Sequence, residues 1–111
     1  MIPDYDDYYS LTGYARRFVR NPMREIDGWL SQKSTIAAIA DWEMRNGNEH
    51  FRSDQIPFLF ERVEKDEVVT IEDLVAMTAC QGIALDGEEV IADIDIFNDF
   101  VAFLTARGVN V

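Results

Sequence analysis

WLSQKSTIAAIADWE, residues 29–43, places aliphatic and aromatic residues at the spacing of a buried helix. Ile36, Ile39 and Trp42 follow one another at intervals of three residues, so they fall on one face of a helix. The hydroxyl of Ser34 can accept a backbone N–H at the start of that helix. We therefore expect a helix that begins at Ser34 and buries its apolar face in the centre of the fold.

The segments around this stretch predict a mostly helical chain with a small β element. Apolar residues recur every three or four positions before and after it, and Pro or capping residues mark where segments begin. Asp86-Gly87 lies between two apolar pairs, which is typical of a hairpin turn. The fold class we expect is mostly α (α+β), a compact domain of about five to six helices with a small hairpin or wing. The expected helices span residues 11–19, 22–31, 34–45, 57–65, 71–80 and 93–107, with a strand at 67–69 and the hairpin at 83–91.

Length and composition indicate one globular domain. The chain has 111 residues, of which 48% are hydrophobic. A chain of this length buries roughly two-thirds of its unfolded surface, which is enough for a core without disulfides or metal. We therefore expect a single domain over residues 1–111.

Few residues could support catalysis or metal binding. The chain has one cysteine, Cys80, and one histidine, His50. A lone thiol forms neither an intramolecular disulfide nor a thiolate metal cluster, and Cys80 lies in an apolar helical context typical of a buried side chain. Adjacent acidic residues are expected on a solvated surface, where nothing shifts their pKa toward general acid–base catalysis. These pairs are Asp6-Asp7, Asp66-Glu67, Glu72-Asp73 and Glu88-Glu89. We expect no enzyme activity and no cofactor or metal.

Charge is distributed unevenly along the chain, and the formal net charge is −11 at pH 7. Residues 11–52 carry seven basic and five acidic side chains, whereas residues 53–111 carry three basic and thirteen acidic ones. The acidic half would repel a phosphate backbone over a Debye length of roughly 8–10 Å at physiological salt. Because a DNA-binding domain is usually basic, this distribution argues against DNA binding by the second half.

The residues quoted above resemble the core of the KilA-N domain, a phage and large-DNA-virus module associated with DNA binding. That family tends to show Trp-Leu, then Lys-Ser/Thr-Thr-Ile, then an aliphatic residue and Trp-Glu. This chain fills the pattern with Trp29-Leu30, Lys33–Ile36, Ile39 and Trp42-Glu43. Weaker similarity extends over most of residues 7–105. The resemblance implies a fold similar to winged-helix domains, with the acidic segment 84–91 in the place of a wing.

The chain departs from the family where the family is basic. Before its last helix the family shows Gly-Arg-Tyr-Gly-Gly, whereas residues 85–94 of this chain read LDGEEVIADI. Lysines common at the start of the family's fifth helix are replaced by Glu72 and Asp73. Scaffold positions are therefore kept, while the basic signature is replaced by acidic residues.

These observations predict a small acidic phage or mobile-element protein that acts by binding another protein. The partner they imply is a nucleic-acid-binding protein with a basic surface, inhibited by a DNA-mimicking acidic face in the manner of anti-CRISPR or anti-repressor proteins. An acidic surface kept only for solubility is the competing interpretation. The residues predicted to form the acidic face are Asp66, Glu67, Glu72, Asp73, Asp86, Glu88, Glu89, Asp93 and Asp95.

The alternative is a sequence-specific transcriptional regulator of KilA-N type that binds DNA directly as a homodimer. Arg16 and Arg20 are four residues apart and would share a helix face. The competing interpretation pairs these arginines with acidic residues at positions 4, 6 and 7. For either function we expect a protein of the bacterial host cytoplasm without membrane contact, since we see no signal-peptide pattern and no apolar run of the roughly 18 residues that span a bilayer. The residues predicted to contact nucleic acid are Arg16, Arg17, Arg20, Arg24 and Lys33.

Overall fold

A computed structural model of the protein describes residues 7–108. Within that range the chain forms six α-helices and a three-stranded sheet, so the predicted mostly helical fold with a small β element is confirmed. In chain order the elements are β1 (Tyr9–Ser10), α1 (Leu11–Ala15), α2 (Pro22–Leu30), α3 (Lys33–Arg45), a 3-10 turn (Ser53–Gln55), α4 (Ile56–Glu64), α5 (Ile71–Thr78), β2 (Ile83–Asp86), β3 (Glu89–Ala92) and α6 (Ile94–Ala106).

The three strands form one antiparallel sheet in the order β1-β3-β2. Ala92 of β3 lies between Tyr9 of β1 and Ile83 of β2, which fixes the register of both pairs. Strands β2 and β3 form the hairpin that Asp86-Gly87 predicts. Gly87 has a φ of 63°, a left-handed turn conformation that glycine adopts without steric cost.

One hydrophobic core joins every described α-helix to the hairpin. Trp29 and Phe100 are its largest fully buried side chains, and their ring centroids lie 5.2 Å apart. Trp42 is 8% exposed and lies in the same core, so the predicted burial of the apolar face of α3 is confirmed. Each fully buried large apolar side chain stabilises the fold by about 1.5–3 kcal/mol.

Short polar side chains begin four of the helices. Ser10 and Thr70 accept backbone N–H groups at the starts of α1 and α5, at 2.9 and 3.2 Å. Asn21 caps α2 and Asp93 caps α6 in the same way. Because the first backbone N–H groups of a helix have no partner inside it, each such cap contributes about 1 kcal/mol.

The first helix is shorter than the predicted span 11–19. It ends at Ala15, and the chain continues as a tight turn in which the N–H of Phe18 donates to the Ala15 carbonyl at 2.9 Å. A proline disfavours helical backbone at the residue before it, so the chain must leave the helical conformation ahead of Pro22. Arg16 and Arg20 therefore do not share a helix face, which corrects that prediction.

Two further local predictions are wrong. Ser34 does not cap α3, because the helix begins one residue earlier and Gln32 precedes it without a side-chain cap. Residues 67–69 do not form a strand. The N–H of buried Val69 donates to Ser31 Oγ at 2.8 Å, so a side chain at the end of α2 supplies the acceptor that a neighbouring strand would otherwise provide.

Candidate protein-binding surface

Glu43 fixes the segment that leads into the hairpin. Its side chain is fully buried, and its carboxylate accepts the backbone N–H groups of Gln81 at 2.8 Å and Gly82 at 2.7 Å. Asn48 Nδ2 donates to the same carboxylate at 2.7 Å. A buried carboxylate needs hydrogen bonds in place of water, and the two bonds from Gln81 and Gly82 also tie α3 to the segment that leads into β2.

Trp42 packs against the same segment. A Cβ atom on Gly82 would lie 2.6 Å from the Trp42 ring and 2.6 Å from Ile96, so the indole contacts the glycine backbone directly. Trp42 Nε1 donates to Asp93 Oδ2 at 3.0 Å, and the N–H of Asp93 donates to the Gly82 carbonyl at 2.9 Å. The Trp-Glu pair that ends the opening motif therefore positions the hairpin and the start of α6.

Helix α5 and the hairpin bear the greater part of the predicted acidic face. The two elements pack against each other, and neither residues 71–78 nor residues 83–92 include a Lys or Arg. Six of the nine predicted carboxylates are exposed and form neither an ion pair nor a side-chain hydrogen bond with any residue in the range 7–108. These six are Asp66, Glu67, Glu72, Asp86, Glu88 and Asp95.

Glu89, the seventh, is held by its neighbours. Its Oε2 accepts hydrogen bonds from the hydroxyls of Ser10 and Thr12, and its Oε1 lies 3.6 Å from the guanidinium of Arg16. The hydrogen bonds from Ser10 and Thr12 lower the pKa of Glu89 below its ordinary value, with a smaller contribution from Arg16. Glu89 therefore links the hairpin to α1.

Asp73 and Asp93 also have structural contacts. Asp73 forms an ion pair with Arg62 at 3.1 Å, which connects α5 to α4. Asp93 accepts the Trp42 indole N–H and the Asp95 backbone N–H, so its carboxylate is occupied at the start of α6. Substitution of these two residues would therefore change the fold as well as the surface charge.

Five of the six exposed carboxylates border a cavity or the hairpin turn. Asp66 and Glu67 border a cleft of about 650 Å³ beside α2, whereas Asp95 borders a space of about 120 Å³ between α3 and α6. Asp86 and Glu88 flank the hairpin turn. Asp66 and Glu67 therefore border a different cavity from Asp95.

Asp27 lies in the larger cleft and was not singled out by its sequence context. Burial raises the pKa of its carboxyl group, the charge of Glu72 raises the pKa further, and the backbone N–H of Ile71 acts in the opposite direction. Its Oδ1 is buried without a hydrogen-bond partner among the described residues. No local pattern identifies Asp27, because the groups that shift its pKa come from α5, more than 40 positions later in the chain.

The predicted nucleic-acid contacts are partly neutralised. Arg16 pairs with Glu89, and Lys33 forms an ion pair with Glu64. Arg17 lies 5.5 Å from the centroid of the Phe18 ring, a cation–π distance. Three of the five predicted residues are therefore already engaged within the molecule.

Arg20 and Arg24 complete that set, and both are exposed. Within the described part of the chain neither forms an ion pair, and Arg24 borders the larger cleft. Pairing with Asp4 or Asp6 lies outside the described residues, and Asp7 forms no ion pair with a described arginine.

Cys80 is buried, as its context predicts. Burial raises the pKa of its thiol to about 12. At neutral pH the group is therefore a protonated thiol, which is a poor nucleophile.

The described residues include no group of three or more His, Cys, Asp or Glu side chains that could hold a metal ion. Over the same residues, none of the helices has the length and apolar character required to cross a bilayer.

Comparison with protein-family models, curated proteins and solved structures gave no match to this chain. The resemblance to KilA-N domains, and the function that it implies, therefore stay predictions.

Proposed function

We propose that this protein binds a cationic surface on another protein, in particular a nucleic-acid-binding factor whose basic groove it occupies. One observation carries the proposal. Helix α5 and the adjacent hairpin contain acidic residues and no basic one, where the resemblance to KilA-N domains would lead us to expect lysines and a wing. Glu72, Asp86 and Glu88 on these elements are exposed and form no ion pair with described residues.

The charge pattern supports a basic protein as the partner and disfavours a duplex. Carboxylates on a rigid scaffold set up a negative potential that speeds encounter with a cationic partner and repels phosphates. Trp42 and Glu43 fix the hairpin to the helical core, so the carboxylates beside its turn are held on a fixed frame. An inhibitor that imitates the charge of nucleic acid needs this kind of preorganisation, because flexible carboxylates lose entropy on binding.

The proposal can be tested with two fluorescent probes, a nine-residue oligoarginine peptide and a 20-base-pair DNA duplex. Anisotropy at about 50 mM salt should show saturable binding of the peptide, weakening with added salt, and no binding of the duplex. The protein should also displace labelled duplex from oligoarginine.

Matched charge-reversal variants test whether peptide binding depends on the predicted acidic face or only on the net charge of the protein. The double variant Glu72→Lys and Glu88→Lys should weaken peptide binding roughly tenfold, as expected for losing and reversing two exposed ion pairs. The control double variant Glu49→Lys and Asp54→Lys changes the net charge equally at exposed residues outside the predicted face. Equal weakening by both variants would show that the surface is merely acidic and would refute the proposed face.

The second candidate function, direct DNA binding, draws support from Arg20 and Arg24. Both guanidinium groups are exposed and form no ion pair with described residues, so each could contact a phosphate. Tight duplex binding that falls steeply with added salt and is reduced by Arg20→Ala and Arg24→Ala would favour this function over the first.

A further inference from the structure

A small space between α3 and α6 has polar groups without partners inside it. Its volume is about 120 Å³, and its apolar walls include Trp29, Trp42 and Ala38. Asp95 and Asp99 stand at one side of this slot on α6. Both indole N–H groups are already satisfied, since Trp29 donates to Asp99 Oδ2 at 2.9 Å and Trp42 donates to Asp93. The ring positions are therefore fixed before any ligand binds.

Thr35 also lines the slot and is only 1% exposed, yet its hydroxyl forms no hydrogen bond with any described residue. This hydroxyl is therefore available to donate a hydrogen bond to a ligand in the slot or to accept one from it. Asp95 and Asp99 are exposed to solvent, and the carboxylate of Asp95 and the second oxygen of Asp99 accept no hydrogen bond within residues 7–108. The slot thus presents acceptor oxygens from both helices.

The arrangement of these oxygens favours binding of an organic cation over a metal ion. Asp95 and Asp99 are four residues apart on one helix, so their like charges repel until a cation lies between them. Asp41 and Arg45 on the opposite helix also line the slot, and their charges offset each other in an ion pair at 2.7 Å. No group of three potential metal ligands exists among the described residues. These contacts leave a negative slot that lacks the donor set for a metal ion.

The volume of the slot favours a single amino-acid side chain over a free small molecule as its ligand. Ligand pockets for small molecules measure roughly 300–1,000 Å³, so 120 Å³ is too small for most of them. It equals the volume of about four water molecules, which suits the stem and head group of one long side chain. Lys and Arg place an apolar stem against apolar walls and keep their charge at polar oxygens.

We propose that the slot between α3 and α6 binds one lysine or arginine side chain of a protein partner, with its cationic head at Asp95, Asp99 and Thr35. This inference rests on the proposed function, because it names the side chain of the basic partner that the acidic protein would bind. It adds a defined receptor to that function, away from the hairpin turn.

The test follows the two indole N–H signals in ¹⁵N-resolved NMR during titration with blocked tripeptides. Gly-Arg-Gly and Gly-Lys-Gly should shift both signals in a saturable way up to roughly 10 mM, since one charged contact supports only weak binding. Gly-citrulline-Gly, which has the same shape without the charge, should cause no saturable shift. The absence of saturation with both cationic peptides would overturn the proposal.

Three variants locate the binding. Ala38→Leu fills the slot at an exposed helical residue without changing charge, and Asp95→Asn removes one carboxylate; each should weaken tripeptide binding about tenfold. Asp54→Asn removes an exposed carboxylate elsewhere and should change nothing. Unaltered binding by Ala38→Leu, with a native-like spectrum, would contradict the slot. Spermidine that binds as tightly as the tripeptides would overturn the assignment to a partner side chain.

The outcomes for the slot and for the proposed function are separable. If oligoarginine binding depends on Glu72 and Glu88 but not on Ala38, the acidic face stands and the slot does not. If tripeptide binding depends on Ala38 while reversal of Glu72 and Glu88 has no effect on oligoarginine, the slot stands and the proposed acidic face is refuted.

Discussion

Glu43 Oε2 accepts the backbone N–H of Gly82 at 2.7 Å, and this bond joins the middle of the chain to the start of the hairpin. The two residues are 39 positions apart. Glu43 needs the bond because its charge is buried, and Gly82 needs to be glycine because the Trp42 ring occupies the space of a side chain. This pair therefore determines where the β element lies relative to the helices.

Replacing Glu43 should destabilise the fold strongly. Glu43→Ala leaves the buried N–H of Gly82 and that of Gln81 without an acceptor, and we expect a loss of about 3 kcal/mol. Glu43→Gln should also destabilise, since its amide NH₂ would face one of these N–H donors. Urea denaturation followed by circular dichroism measures both effects. Glu49→Ala, at an exposed position, should change stability by less than about 0.5 kcal/mol.

Two glycine-to-alanine changes should have opposite signs. Gly82→Ala forces a methyl group to within 2.6 Å of Trp42 and Ile96, which should cost about 1–3 kcal/mol. Gly28→Ala lies in α2 with no atom within 4 Å of the new methyl group, and it should stabilise by about 0.5–1 kcal/mol through helix propensity. Thermal unfolding of the two variants side by side makes the comparison. A neutral or stabilising Gly82→Ala would contradict the close contact with Trp42.

Asp27→Asn should stabilise the protein at neutral pH. The folded-state pKa of Asp27 is raised above its ordinary value of 3.8 by burial and by Glu72. The associated stability is therefore fully present below pH 3.8 and is lost as the pH rises through the raised pKa. Asparagine does not titrate, so the variant should have a higher Tm than the wild type at pH 7. That advantage should diminish as the pH falls toward 3.

Melting curves at several pH values, with Asp54→Asn as the exposed control, test this prediction. A stability difference for Asp27→Asn that does not vary with pH would mean that the Asp27 carboxyl is not the group responsible. The control should show little pH-dependent difference from the wild type.

Cys80 should be unreactive in the folded protein. With its pKa raised to about 12 and its side chain buried, it should react with an aromatic disulfide reagent at pH 8 only as fast as the protein unfolds. Urea should restore rapid reaction of one thiol per chain. Ala37→Cys, at an exposed position of α3, provides the control and should add one rapidly reacting thiol without urea. Rapid labelling of native Cys80 would show that the core opens locally.

The sequence alone predicts the local structure that depends on neighbouring residues. The spacing of Ile36, Ile39 and Trp42 places α3, and Asp86-Gly87 places the hairpin, because both signals lie within a few residues. The caps at Ser10 and Thr70 follow for the same reason. The strand predicted at 67–69 was wrong, since Ser31, far away in sequence, satisfies Val69.

Only the tertiary structure decided what the charged residues do. Of the predicted acidic face, Glu89, Asp73 and Asp93 have hydrogen-bonded or ion-paired roles, and their partners lie as many as 79 positions away. The slot at Asp95 likewise needs α3 and α6 to meet. Charge and hydrophobic periodicity follow directly from the order of residues in the chain. Burial, pKa shifts and cavities depend instead on which distant segments the core brings into contact.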